Sequence, residues 1–218
     1  MSDLFELNGP TLPPQGGGPA DSVVVLLHGY GADGNDLIGL APHLAAHLPK
    51  TLFISPDAPF PCEMGFGRQW FSFQNRTPAE IKEGVIAAAE ILNSFLDKLL
   101  QRFLLKDARM ALVGFSQGTM MALDVAPRRA ASVAGVVGFS GRLLDGAALE
   151  KEVKVRPPVL LVHGDADSMV PVAHLDHAEA GLKSVGIAVE TLRRPGLAHG
   201  IDPEGIAAAS AFLTRVLA

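Results

Sequence analysis

The sequence predicts an α/β fold in which a largely parallel central sheet is covered by helices on both faces. Three observations carry that prediction. Short, continuous, β-branched or apolar runs recur along the 218 residues, and such runs suit strands buried on both faces. Stretches with apolar residues at helical spacing lie between them. Strands alternating with helices imply right-handed crossovers and hence parallel neighbours.

The elements follow in order. Residues 1–20 form a turn-rich opening, with Pro13, Pro14 and Gly16 to Gly18, that suits an early hairpin or a mobile lead-in. Val23 to Leu27 and Thr51 to Ile54 are the first two strands. From Pro78 to about Leu105, Ile81, Val85, Ala88, Ile91, Leu92, Phe95, Leu96 and Leu99 mark one stripe of a long helix, with Thr77 as its cap. Arg109 to Val113 is a strand, Ser116 to Ala126 a helix stopped by Pro127, and Ala134 to Phe139 a weaker strand. Val159 to Val162 and Ala188 to Leu192 flank a helix from Val172 to Val185 that Gly186 closes. Pro203 to Leu217 is the last helix. No repeat or linker interrupts this pattern, so residues 1–218 are expected to form one domain. Only Arg142 to Pro157 lies between a core strand and the next, too little for a separate cap domain.

Composition narrows the partners. The chain is 48% hydrophobic and 19% charged with a net charge of -5, which disfavours phosphate backbones and anionic lipid surfaces. That argues against nucleic acid and for a small or neutral partner. No apolar run approaches the ~20 residues of a membrane helix, so stable membrane insertion is not expected. Cys62 is the sole cysteine and reads as an ordinary loop thiol. The opening Met1 to Leu7 has no basic or apolar leader region, so the expected location is cytoplasmic.

In an open α/β sheet, ligands bind beyond the carboxyl ends of the strands. Gly114-Phe115-Ser116-Gln117-Gly118 stands at such a place, a G-x-S-x-G segment between a strand and a helix. The sharp turn it needs strains the serine backbone and projects Ser116 Oγ above the sheet, with a helix N-terminus behind it. The competing role for Ser116 is a helix cap, which explains neither glycine. A serine nucleophile needs a histidine base oriented by a carboxylate, in the chain order serine, acid, histidine. His199, in the loop 195–200, satisfies that order, whereas His163 precedes both candidate acids, Asp165 and Asp167. His174 and His177, three apart on a helix, suggest no third metal ligand and read as a solvated face. Oxyanion donors are expected from the Gln117 amide and, in the glycine-rich loop His28 to Gly34, from the Tyr30 amide.

These residues resemble a known family. Leu27 to Leu37, Gln69-Trp70-Phe71, Gly114 to Gly118, His163 to Asp167 with Val170-Pro171, and Gly196 to Gly200 are similar to the phospholipase/carboxylesterase family, to which acyl-protein thioesterases belong. The resemblance spans nearly the whole chain. It implies an α/β-hydrolase fold, a Ser116–Asp167–His199 triad, the amides of Tyr30 and Gln117 as oxyanion hole, and short to medium carboxylic esters as substrates. It implies no metal or cofactor, and the pairing common in the family suggests a homodimer. Ser72 stands where the eukaryotic thioesterases usually carry an acid after Trp-Phe, and Thr119 where they carry a further glycine. Both departures weigh against protein-thioesterase activity more than against esterase activity.

The loop Phe60 to Phe73 holds Met64, Phe66, Trp70, Phe71 and Phe73 and reads as a wall of an open cleft, with Met64 and Trp70 lining the substrate pocket. The alternative functions are a thioesterase or lysophospholipase using the same triad, and a non-catalytic hydrolase-like protein that binds a small molecule.

Overall fold

The strands are β1 (Thr11–Leu12), β2 (Ser22–Leu27), β3 (Thr51–Ile54), β4 (Phe60–Pro61), β5 (Arg68–Gln69), β6 (Met110–Phe115), β7 (Gly135–Phe139), β8 (Val159–Gly164) and β9 (Val189–Arg194). The helices are α1 (Gly34–Ile38), α2 (Ala41–Ala45), α3 (Pro78–Phe103), α4 (Gln117–Val125), α5 (Gly146–Glu152), α6 (Ala173–Ser184) and α7 (Pro203–Leu217). The computed structural model describes residues 7–74 and 76–218, so the first six residues of the predicted turn-rich opening lie outside it.

Seven strands form one sheet in the order β1-β3-β2-β6-β7-β8-β9. Every pairing in it is parallel except β1 with β3, and because β2 lies between those two in the chain the pair is not an early hairpin. Side chains alternate across the central strands and feed two cores. Val23, Val25 and Leu27 of β2 join Leu92, Leu96 and Leu182 under α3, α4, α5 and α6. Val24 and Leu26 join Leu37, Leu44 and Phe212 under α1, α2 and α7. A strand buried on both faces must be apolar at every position, which is why β2 reads as an unbroken run.

The long helix starts as its sequence indicates. Thr77 caps the Glu80 amide while the Glu80 side chain returns to the Thr77 amide, and Pro78 occupies the first turn. It ends at Phe103, where Leu104 turns left-handed at φ 54°. The stretch 60–73, expected as plain loop, contains the small antiparallel pair β4–β5. Helices α1, α2 and α5 were not foreseen, and α5 fills the short crossover where no cap domain was expected. Among the described residues, no helix is long and apolar enough to cross a membrane.

Candidate active site

Strand β6 delivers Ser116 to the carboxyl edge of the sheet at the turn into α4. Its backbone sits at φ 52°, ψ -113°, a left-half conformation that costs a non-glycine residue about 1–3 kcal/mol. Its hydroxyl makes no capping bond to the helix, so the cap role drops out. The flanking glycines have a steric cause. A Cβ on Gly118 would stand 1.8 Å from Leu27 O, and one on Gly114 2.4 Å from the Thr119 amide. Thr119 is accommodated in the same way. Its side chain fills the space left by Gly138 and Gly141, where a Cβ would come within 2.5 Å of it, and its hydroxyl lies 2.8 Å from Gly114 O and from Phe139 O.

On the β8–β9 side, His199 Nδ1 lies 2.7 Å from Asp167 Oδ2. Asp167 Oδ1 accepts the amides of Met169 (2.9 Å) and Val170 (2.8 Å). Burial pushes the Asp167 carboxyl upward, but the Val170 amide, His199 and the Met169 amide outweigh it and hold the group below the usual aspartate range. With Nδ1 donating to that carboxylate, Nε2 is the free acceptor, and no described residue bonds it. The His199 ring lies 4.9 Å from that of Phe115, the residue before Ser116. The rival acid Asp165 accepts the Gly196 amide at 2.7 Å and steadies the histidine loop instead. His163 is buried with Nε2 on Val170 O at 2.8 Å. Ser140, just after β7, is buried at φ 47° and its hydroxyl reaches Gly200 O at 3.3 Å, beside the histidine.

On the opposite side, the loop after β2 runs against the nucleophile, since a Cβ on Gly29 would lie 3.5 Å from Ser116 Cβ. Among the described residues nothing accepts the amides of Tyr30 or Gln117. The Gln117 side chain is buried and clamps the backbone of residues 70–71, accepting the Trp70 amide and donating to Phe71 O, both at 2.8 Å. Trp70 Nε1 donates to His28 O at 3.0 Å. The His28 ring donates from Nδ1 to Gly29 O and accepts the Ala58 amide at Nε2. Burial pushes the His28 pKa down, in keeping with a ring that must stay neutral to accept.

Glu63 closes this side from above. Its carboxylate accepts the Tyr30 hydroxyl (2.9 Å), the Ser72 hydroxyl (2.5 Å) and the amides of Phe73 and Gln74 (3.1 and 3.0 Å). Despite some desolvation, those four donors bring its pKa down to about 2. Ser72, the departure from the thioesterase pattern, therefore receives its carboxylate from elsewhere in the loop. Sequence reading missed Glu63, Ser140 and the Gln117 side chain.

The pocket expectation needs correction. Trp70 is wholly buried and ties down the loop after β2, its indole N–H donating to His28 O and its backbone amide to the Gln117 side chain. Met64 is half exposed and Phe66 more than half, both beside Gly31, so Met64 stands on a rim. A cavity of about 690 Å³ lies elsewhere, between α3 and the α5 segment, with Arg142 in its wall.

With this geometry in place, comparison with known proteins is decisive for the family. A sequence model described as phospholipase/carboxylesterase matches residues 14–217. The chain belongs to the phospholipase/carboxylesterase family. Among its relatives, esterase YpfH of Escherichia coli is 29% identical over 189 residues, covering 84% of this chain and 78% of that one. Acyl-protein thioesterase 1 of Emericella nidulans is 25% identical over 217 residues, 90% of each chain. Among solved structures, esterase PE8 superposes with a TM-score of 0.92 at 39% identity, over 97% of this chain and 100% of that one. The Arabidopsis thaliana SOBER1 structure, at 22% identity and TM-score 0.80 over 90% of this chain and 99% of that one, shows the shared fold. This family member is thus an α/β-hydrolase of the esterase and thioesterase class.

Proposed function

We propose that the chain is a serine carboxylesterase acting on esters of short to medium acyl chains through an acyl-enzyme. The observation that supports this most is the convergence at one sheet edge of a strained, uncapped Ser116, a His199 oriented by Asp167 at 2.7 Å, and two unspent amides.

In the reaction, Ser116 Oγ attacks the ester carbonyl carbon while His199 Nε2 takes its proton. The carboxylate of Asp167 holds the imidazole in the required tautomer and offsets the charge that forms on it. The carbonyl oxygen gains negative charge and is met by the amides of Tyr30 and Gln117, reinforced by the N-terminus of α4. The imidazolium then protonates the departing alkoxide, leaving an acyl-Ser116 ester. Water, deprotonated by the same nitrogen, repeats the sequence and frees the acid. The exposed rim at Met64 and Phe66 supports an open site for modest acyl groups. The test is turnover of p-nitrophenyl esters from acetate to palmitate. An optimum between acetate and octanoate is expected, and a maximum at palmitate would contradict the chain-length part.

A second reading, thioesters as substrates, draws on the thioesterase relative of Emericella nidulans. Matched oxyesters and thioesters of one acyl group separate the two.

A further inference from the structure

Among the described residues, one buried side-chain polar atom lacks a partner: Nε of Arg142. Leaving a buried donor unmade is costly, and native structures seldom do so without a reason. Other arginines show the contrast. Arg68, Arg109 and Arg156 donate to backbone carbonyls, and Arg128, Arg129 and Arg194 to carboxylates.

Among the described residues the guanidinium of Arg142 forms no ion pair either. Of the acids that share its cavity, Asp124 and Glu152 pair with Arg128, Asp145 pairs with Lys82, and Glu90 makes no ion pair with Arg142. The charge is felt nearby, since His174 is pushed down by burial and then by Arg142. Arg142 stacks 5.9 Å above the Phe73 ring, which lies 5.9 Å from that of Tyr30. It follows Gly141, whose Cβ, if present, would stand 3.0 Å from Ser116 O. Arg142 thus follows a residue packed on the Ser116 turn, and its guanidinium lies over a ring that neighbours Tyr30. Its cavity of about 690 Å³ is walled by apolar Ile81, Val85 and Leu144 together with the charged groups just named.

We infer that Arg142 is a substrate-binding residue, and that the preferred esters carry a carboxylate that its fork-shaped guanidinium receives. This rests on the esterase reading above. Guanidinium and carboxylate match in a two-bond geometry that an ammonium cannot reproduce, and the aromatic face beneath keeps the cation in place. The carboxylate belongs either to the acyl part, as in a half-ester of a dicarboxylic acid, or to the alcohol part.

The experiment measures kcat/KM for ethyl hydrogen adipate against its neutral isostere ethyl adipamate, and for the acetate ester of 4-hydroxybutyrate against that of 4-hydroxybutyramide. The protein is used as wild type, Arg142→Met and Arg142→Lys. In one of the two pairs the wild type should favour the anion by about tenfold or more, as hydrogen bonds to charged groups allow. The preferred pair identifies the side that carries the carboxylate. Arg142→Met should bring that ratio near one, Arg142→Lys should restore part of it, and 1 M KCl should shrink it in the wild type. The salt test stands even if a variant folds poorly. Turnover of both members of each pair without an anion preference overturns this inference alone. Turnover of none of the esters overturns the esterase reading and this one with it.

Discussion

The two sides of the candidate site are held in opposite ways. On the β8–β9 side a single 2.7 Å bond joins His199 to Asp167, and each residue sits on a turn fixed by its own strand end. On the other side the Tyr30 and Gln117 amides are aimed by a web of distant contacts, through Gln117, Trp70, His28 and Glu63. On the proposed acid–base side one bond links the two groups, whereas the proposed oxyanion side is held through many contacts. Loss of a concentrated contact should be severe and specific to chemistry. Loss of a distributed one should be milder and should cost stability as well.

Substitutions can break or sharpen that contrast. The largest effect is expected for Asp167→Asn, which leaves His199 Nδ1 without its carboxylate and admits the wrong tautomer. Ester turnover should fall by about 10⁴-fold in kcat, with the melting transition nearly in place. A fall below tenfold would mean that the bond does not orient the base.

Next comes Gln117→Ala, which keeps the backbone amide but removes two buried hydrogen bonds to Trp70 and Phe71. Denaturant unfolding should register a loss of about 2–3 kcal/mol. The kcat should drop about tenfold, less than the ~100-fold that follows outright loss of an oxyanion donor. Unchanged kcat at reduced stability would make this web purely structural.

The smallest effect is the pH response of Glu63. Its carboxyl is depressed from 4.5 to about 2, so it adds stability above its unfolded value and loses that contribution as pH falls toward about 2. Glu63→Gln should remove this part of the acid unfolding slope between those limits and lower kcat by a small factor at neutral pH. An unaltered acid slope would show that the four donors do not depend on the charge.

The same contrast explains what could be read in the sequence. Strands β2 and β3 are apolar beyond their first residues, Ser22 and Thr51, because both faces are covered, and their limits lie within a residue of the expected ones. Strand β9 runs on to Arg194, past the expected Leu192, because Arg193 and Arg194 pair with Asp176 and with Asp202 and Glu204, which an apolar pattern cannot signal. Helices of five to seven residues such as α1, α2 and α5 are too short to display a helical period. Ser116 and His199 stand out in the sequence because strand-end motifs occur in fixed chain order, and the structure sets the His199 ring against Phe115, the neighbour of Ser116. The choice between Asp165 and Asp167 was open on residues alone, since both occupy the same turn, and the structure brings Asp167 to His199. Trp70 reads as a pocket wall from its neighbours in sequence, but its bond to His28 O spans 42 residues and leaves no local trace. Glu63, exposed in a loop, shows nothing unusual until Tyr30 and residues 72–74 fold onto it.

The most direct measurement concerns Ser116 itself. Wild type and Ser116→Ala, each shown to be folded, are incubated with a fluorophosphonate, and the intact mass and modified peptide are determined. One equivalent should attach to wild type at Ser116, the Ala variant should stay unmodified, and p-nitrophenyl butyrate hydrolysis should vanish in both the labelled wild type and the variant. Labelling at another residue, or full hydrolysis by Ser116→Ala, would contradict the assignment of Ser116 as nucleophile.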